Sequence, residues 1–176
     1  SDVYKRQMLR LAGGSANDIA FANAGDVLSL ELGGLLRSNN NASSTIGTTA
    51  IPGVLTVGGT LLGGTRELVV YNAQGLITLN AAIRDPGSVF GSGSATLALV
   101  KGGAGTLALA GANSYSGGTT VSEGQLLLSG GTGLVLLPGG GVTVSAAVLT
   151  ASAPGQIAPG NALTLNNGAT ATLVGS

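Results

Sequence analysis

Residues 101–129 read KGGAGTLALAGANSYSGGTTVSEGQLLLS, and this stretch constrains the fold more than any other. Two short runs, 106–109 and 125–128, place apolar residues at alternate positions, the pattern of half-buried strands. Between them lies a segment of Gly, Ser, Asn and Thr with a single aromatic, Tyr115. Glycine pairs bound the runs, as corners that need a positive φ would require. Such a chain winds through successive coils instead of closing into a globule.

The rest of the chain repeats the theme. Short strands are expected at 27–32, 54–57, 60–62, 67–71, 76–79, 96–99, 106–109, 125–128, 142–144, 148–150, 163–165 and 170–173, and helix nowhere. Glycine pairs or triplets punctuate them, and each interior glycine would cost a helix about 1 kcal/mol. Residues 9–24 have the only mildly helical composition, interrupted by Gly13 and Gly14. Residues 37–44, RSNNNASS, read as a long turn or loop. A sandwich also shows many short strands, but sandwich cores are usually built on large aromatics, and only 3% of this chain is aromatic. Small aliphatics and threonine suit narrow stacked layers, with leucines in internal ladders and Ser, Thr and Asn facing out. The expected fold is all-β, a right-handed parallel β-helix (β-solenoid). At roughly 20 residues per coil and about 4.8 Å between coils, the chain would make about eight coils and a rod of about 40 Å.

The order and spacing of residues 105–128 resemble the autotransporter-associated β-strand repeat, also called the passenger-associated transport repeat. The strand signature is Gly105, Thr106, Leu107, Leu109 and Gly111. Asn113, Tyr115, Gly117, Gly118, Thr119 and Val121 come next, then Gly124, Leu126 and Leu128 open the second strand. Ala110 stands where a serine is common, and Glu123 sits in the second turn. The resemblance covers about 101–129. It implies the right-handed parallel β-helix and an exported bacterial protein.

Residues 1–7, SDVYKRQ, differ in character from the rest of the chain: Asp2, Lys5 and Arg6 stand close together in a sequence that is 8% charged. Their back-translation resembles the transposon end used to tag DNA for sequencing, so they are read as an adaptor remnant that packs against nothing. The β-solenoid segment is then 8–176, with five basic and six acidic residues.

Composition excludes several classes. The chain has 32 glycines, yet 44% of its residues are hydrophobic and mean hydropathy is +0.47, so it is not a disordered linker. The glycines keep no period of three, which rules out collagen. No run reaches the ~18 apolar residues of a transmembrane helix. A net charge of +0 argues against nucleic acid and anionic lipid as partners. Cysteine is absent. A stacked solenoid needs no disulfides, because each coil buries its inner face on its neighbours.

Sites for chemistry are scarce. With neither histidine nor cysteine, Ser-His-Asp and Cys-His catalysis and the usual zinc ligands are unavailable. Stacking could bring Glu67 near Asp85, about one coil apart, but isolated acids more often form solvated surface charges, here beside Arg66 or Arg84. Residues 13–18, GGSAND, have a weak similarity to a calcium-binding nonapeptide, against which stands a plain Asx-turn at Asn17 and Asp18. Tyr115 could stack on a sugar, but packing over its own glycine-rich corner is favoured. The expectation is therefore no catalysis, no cofactor and no metal. The chain would be a structural passenger or stalk segment of an exported bacterial surface or secreted protein, aiding vectorial export and folding outside the cell. Its partners would be the rest of a longer parent chain, export machinery or extracellular glycans. The alternative is an adhesin-like or polysaccharide-acting β-helix. Uncharged, uncapped ends predict that the 176-residue chain self-associates.

Overall fold

The computed structural model describes residues 2–12, 15–38, 41–59, 63–91 and 93–174. Strands dominate: β1 (Val3–Leu11), β2 (Val27–Arg37), β3 (Ser44–Ile46), β4 (Val54–Val57), β5 (Thr65–Asn72), β6 (Leu76–Leu79) and β7 (Ala82–Ile83). A five-residue helix, α1 (Pro86–Phe90), comes next. Then come β8 (Thr96–Gly102), β9 (Thr106–Leu109), β10 (Thr119–Val121), β11 (Gln125–Leu128), β12 (Val142–Ser145), β13 (Val148–Ala151), β14 (Leu163–Asn166) and β15 (Thr170–Leu173).

Every named strand pairing is parallel, and the strands sort into two sheets. One has the order β14-β12-β10-β8-β5-β2-β4-β7 with β1 on β2, the other β15-β13-β11-β9-β6-β3. From β8 onward the chain alternates strictly between them, one strand in each sheet per turn. The register advances by 19 residues from Thr106 to Gln125, 23 from Gln125 to Val148 and 22 from Val148 to Thr170. In parallel sheets every return needs a crossover, and here the opposite sheet supplies it.

Period-two alternation turns this register into ladders. In the six-stranded sheet Ile77, Leu107, Leu126, Leu149 and Ala171 stack in line, and so do Leu79, Leu109, Leu128, Ala151 and Leu173. The facing sheet contributes Leu68, Leu99, Thr119, Val142 and Leu163, and a second line through Val70, Lys101, Val121, Val144 and Leu165. One hydrophobic cluster joins the two sheets from Leu11 to Ala151. At the last coil the same inner lines reach the surface, with Leu165 45% and Leu173 48% exposed.

The early part of the chain is less regular. β2 forks: Val27–Leu30 pair with β4, while Gly34–Arg37 pair with β5. Coils are longer here, 33 residues from Ser44 to Ile77, and β7 and α1 are inserted in the next turn.

Several expectations are corrected. Residues 3–6 and 8–11 do not stand free: they pair with β2, and Val27 N–H donates to Asp2 O at 2.8 Å. This concerns their packing, not their origin. Within the mildly helical 9–24, residues 9–11 instead complete β1, and Ile19 makes an isolated parallel bridge to Ile46. Helix does occur, as α1, where Pro86 presets φ at the first turn and Gly91 ends it at φ +64°. β3, β7 and β10 were not expected as strands, and the expected strand 60–62 lies outside the described residues. Polar residues do not all face out: Ser29, Thr56, Asn72, Asn113 and Thr119 are buried. They are tolerated where a partner meets them, as when Thr56 Oγ1 donates to Arg84 O at 2.8 Å.

Candidate functional site: the coil of residues 99–128

The motif residues assemble into one coil with neighbours on both sides. β9 lies between β6 and β11, and β10 between β8 and β12. Leu107, Leu109, Val121, Leu126 and Leu128 all point inward and are fully buried, as the alternation predicts. Gly105 and Gly111 bracket β9 and bond back to the preceding coil, Gly105 N to Asn72 O at 2.8 Å and Gly111 N to Leu79 O at 3.2 Å. Thr106 is half-buried, its hydroxyl donating to Gln125 Oε1 at 3.3 Å. Gly124 O accepts from Val148 N of the next coil at 2.9 Å.

Asn113 is a staple. It is buried, its Oδ1 accepts from Ile83 N at 2.9 Å, and its Nδ2 donates to Leu136 O at 2.8 Å. One side chain thus satisfies backbone groups of the coil before and the coil after. Tyr115 lies in the irregular segment before β10 and packs into the core, 1% exposed. Its hydroxyl shares a 2.6 Å hydrogen bond with Thr119 Oγ1. Thr119 holds an inner ladder position between Leu99 and Val142, so this bond gives a buried hydroxyl its partner. No ring face is left for a sugar. Burial pushes the Tyr115 phenol up, so it stays neutral. Gly117 and Gly118 lie between these two residues. A Cβ on Gly117 would sit 2.6 Å from Leu97 O, and Gly118 adopts φ +88°. A side chain there would collide with the backbone below or strain its own.

Two charged residues that the motif did not single out complete the coil. Lys101 occupies the inner ladder between Val70 and Val121 and is 0% exposed. Its ammonium donates to Gly102 O (2.9 Å), Gly103 O (2.6 Å) and Glu123 O (3.1 Å), one carbonyl for each hydrogen. The Glu123 carboxylate caps Gly103 N at 3.1 Å. The signal lay in the alternation itself: Leu97, Leu99 and Lys101 fall on one face of β8.

Burial lowers the Lys101 pKa from 10.5 to about 8, opposed by the Glu123 charge. The unfolded chain therefore binds this proton more tightly than the folded one. Lys101 costs its full penalty below pH 8, and stability should rise with pH between about 8 and 10. Tyr115 acts oppositely only above pH 10, where the unfolded phenol ionises first. Urea unfolding at pH 7.5 and 9.5 should show the midpoint rising in the wild type and flat in Lys101→Met.

Asp85 bonds to backbone and serine groups and makes no hydrogen bond with Glu67, whose pairing with it is the less favoured of the two readings. Asp85 accepts from Leu97 N (2.7 Å), Ser116 N (3.1 Å) and Ser116 Oγ (2.7 Å), tying the segment before α1 to β8 and to a loop 31 residues on. That leaves it no side-chain bond for the α1 N-terminus. Glu67 lies instead on the outer face of β5, lining a surface cleft with Glu31 and Arg66. Asp18 is also a coil bridge, accepting from Thr45 N at 2.7 Å and Thr45 Oγ1 at 2.9 Å. Gly13 and Gly14 lie outside the described residues. Among the described residues, no three His, Cys, Asp or Glu side chains form a group that could hold a metal ion.

Residues 99–128 match the family model of the passenger-associated transport repeat. The match spans β9, β10 and β11 and the loop that carries Asn113 and Tyr115. No curated protein and no solved structure matches the chain.

Proposed function

We propose, from the passenger-associated transport repeat at 99–128, that this chain is a structural segment of the exported passenger of an autotransporter-type protein. Its coils form a right-handed parallel β-helix presented outside the cell. The observation that carries this reading is that the matched coil is closed in register by a coil on either face. Each completed coil offers the next a row of unpaired backbone groups and an inner apolar line, so folding can propagate along the chain as it emerges. Carboxylates and amides that bond to neighbouring coils, Asp18, Asp85, Asn113 and Glu123, reinforce the same order. We propose no catalytic role, because the chain lacks histidine and cysteine and Asp85 is committed to hydrogen bonds. Among the described residues no helix is long and apolar enough to cross a membrane.

The test is to place residues 8–176 between a signal peptide and a translocator barrel and track the segment on living cells. It should reach the surface and resist added protease. Retention in the periplasm, or a surface product digested as fast as an unfolded chain, would contradict the proposal.

A further inference from the structure

Arg37 is the last residue of β2 and is 0% exposed. Its Nη1 donates to Leu76 O at 3.0 Å, while Nε and Nη2 are buried without a partner among the described residues. Asn72 is its register partner on β5, also 0% exposed. The Asn72 Nδ2 donates to Gly75 O at 3.0 Å and Thr106 O at 2.9 Å. Those two bonds fix the amide and leave Oδ1 buried with no partner among the described residues. The two side-chain heads end on consecutive carbonyls, Gly75 and Leu76. The three unpaired atoms thus belong to two buried side chains that are register partners on adjacent strands.

We propose that this buried pair is a built site for one internal water molecule. The chemistry of the three atoms selects it. Nε and Nη2 lie on one edge of the guanidinium and can both donate to a single oxygen, and Asn72 Oδ1 needs a donor. Water supplies two lone pairs and a hydrogen, making three bonds, the usual number for a buried water. A halide could accept from Arg37 but would face the amide oxygen with no proton to give it. Lys101, one coil further on, shows the alternative device: all three of its hydrogens meet protein carbonyls. Among the described residues Arg37 has one carbonyl for its five N–H groups, and the water takes up the Nε and Nη2 edge.

The site sits at the end of β2, at the last register pair that β2 makes with β5 after leaving β4. It links Arg37 and Asn72 in adjacent coils, and Asn72 reaches Thr106 in the third. The water thereby locks the β2–β5 register at its C-terminal end.

Crystals of the 176-residue chain, diffracting well enough to show ordered solvent and grown with and without bromide, test this directly. A peak within about 3.2 Å of Arg37 Nε, Arg37 Nη2 and Asn72 Oδ1, lacking bromide anomalous signal, is expected. No peak, or an anomalous one marking a bound anion, overturns the proposal. Arg37→Met gives an independent reading. With the water in place the wild-type donors are satisfied, and the variant strips partners from Leu76 O and the water, lowering the melting temperature by about 3–10 °C. An unchanged or raised melting temperature also overturns it, because removing truly orphaned buried donors relieves the fold.

Discussion

Leu107→Ala should destabilise the chain by about 2–5 kcal/mol, the cost of truncating a buried leucine in a core that cannot fully collapse. Leu107 is fully buried in the ladder between Ile77 and Leu126. Relaxation is restricted because both neighbours are held by parallel strand pairing at fixed spacing. Leu127 is the control: it lies in β11 but faces the other side and is only half-buried. Leu127→Ala should cost under about 1 kcal/mol. Urea unfolding of the two variants reads the difference. A change below about half a kcal/mol for Leu107→Ala would mean that the inward alternation of β9 is out of register.

Asn113→Leu should cost a similar amount, about 2–6 kcal/mol, by a different route. It fills the volume but leaves Ile83 N–H and Leu136 C=O buried and unpaired, each worth about 1–3 kcal/mol. Hydrogen exchange makes the prediction specific. The Ile83 amide should lose protection in the variant, while the ladder amide of Leu126, held in β11 between β9 and β13, stays slow. Equal loss at both positions would show general loosening in place of a broken staple.

The strands were legible where apolar residues alternate and glycine marks the corners. Residues 54–57, 76–79, 106–109 and 125–128 are strands within the bounds read from the sequence. β10 was missed because Thr119, Thr120 and Val121 give only one apolar residue, and the strand exists because β8 and β12 pair with it. β1 was missed because its charged side chains, Lys5 and Arg6, point to solvent while its backbone pairs with β2. The inner Lys101 and Arg37 were hidden for a related reason: a charge was read as surface, although each continues the period of its strand. Asn113 was legible as a motif member but not as a staple, since its partners lie 30 and 23 residues away. Such long-range pairing depends on coil lengths, and these vary along the chain with the β7–α1 insertion.

Residues 99–128 pair in parallel register with strands on either side, and paired cysteines probe that register. The chain has no cysteine of its own. Gln125 and Val148 are register partners on adjacent strands and point outward, whereas Leu149 points into the core. Adjacent strands lie about 4.8 Å apart, within disulfide reach. Gln125→Cys combined with Val148→Cys should close an intramolecular disulfide under mild oxidation, while Gln125→Cys with Leu149→Cys should stay reduced. Bridging in the second pair and not the first would contradict the register and the stacked coil built on it.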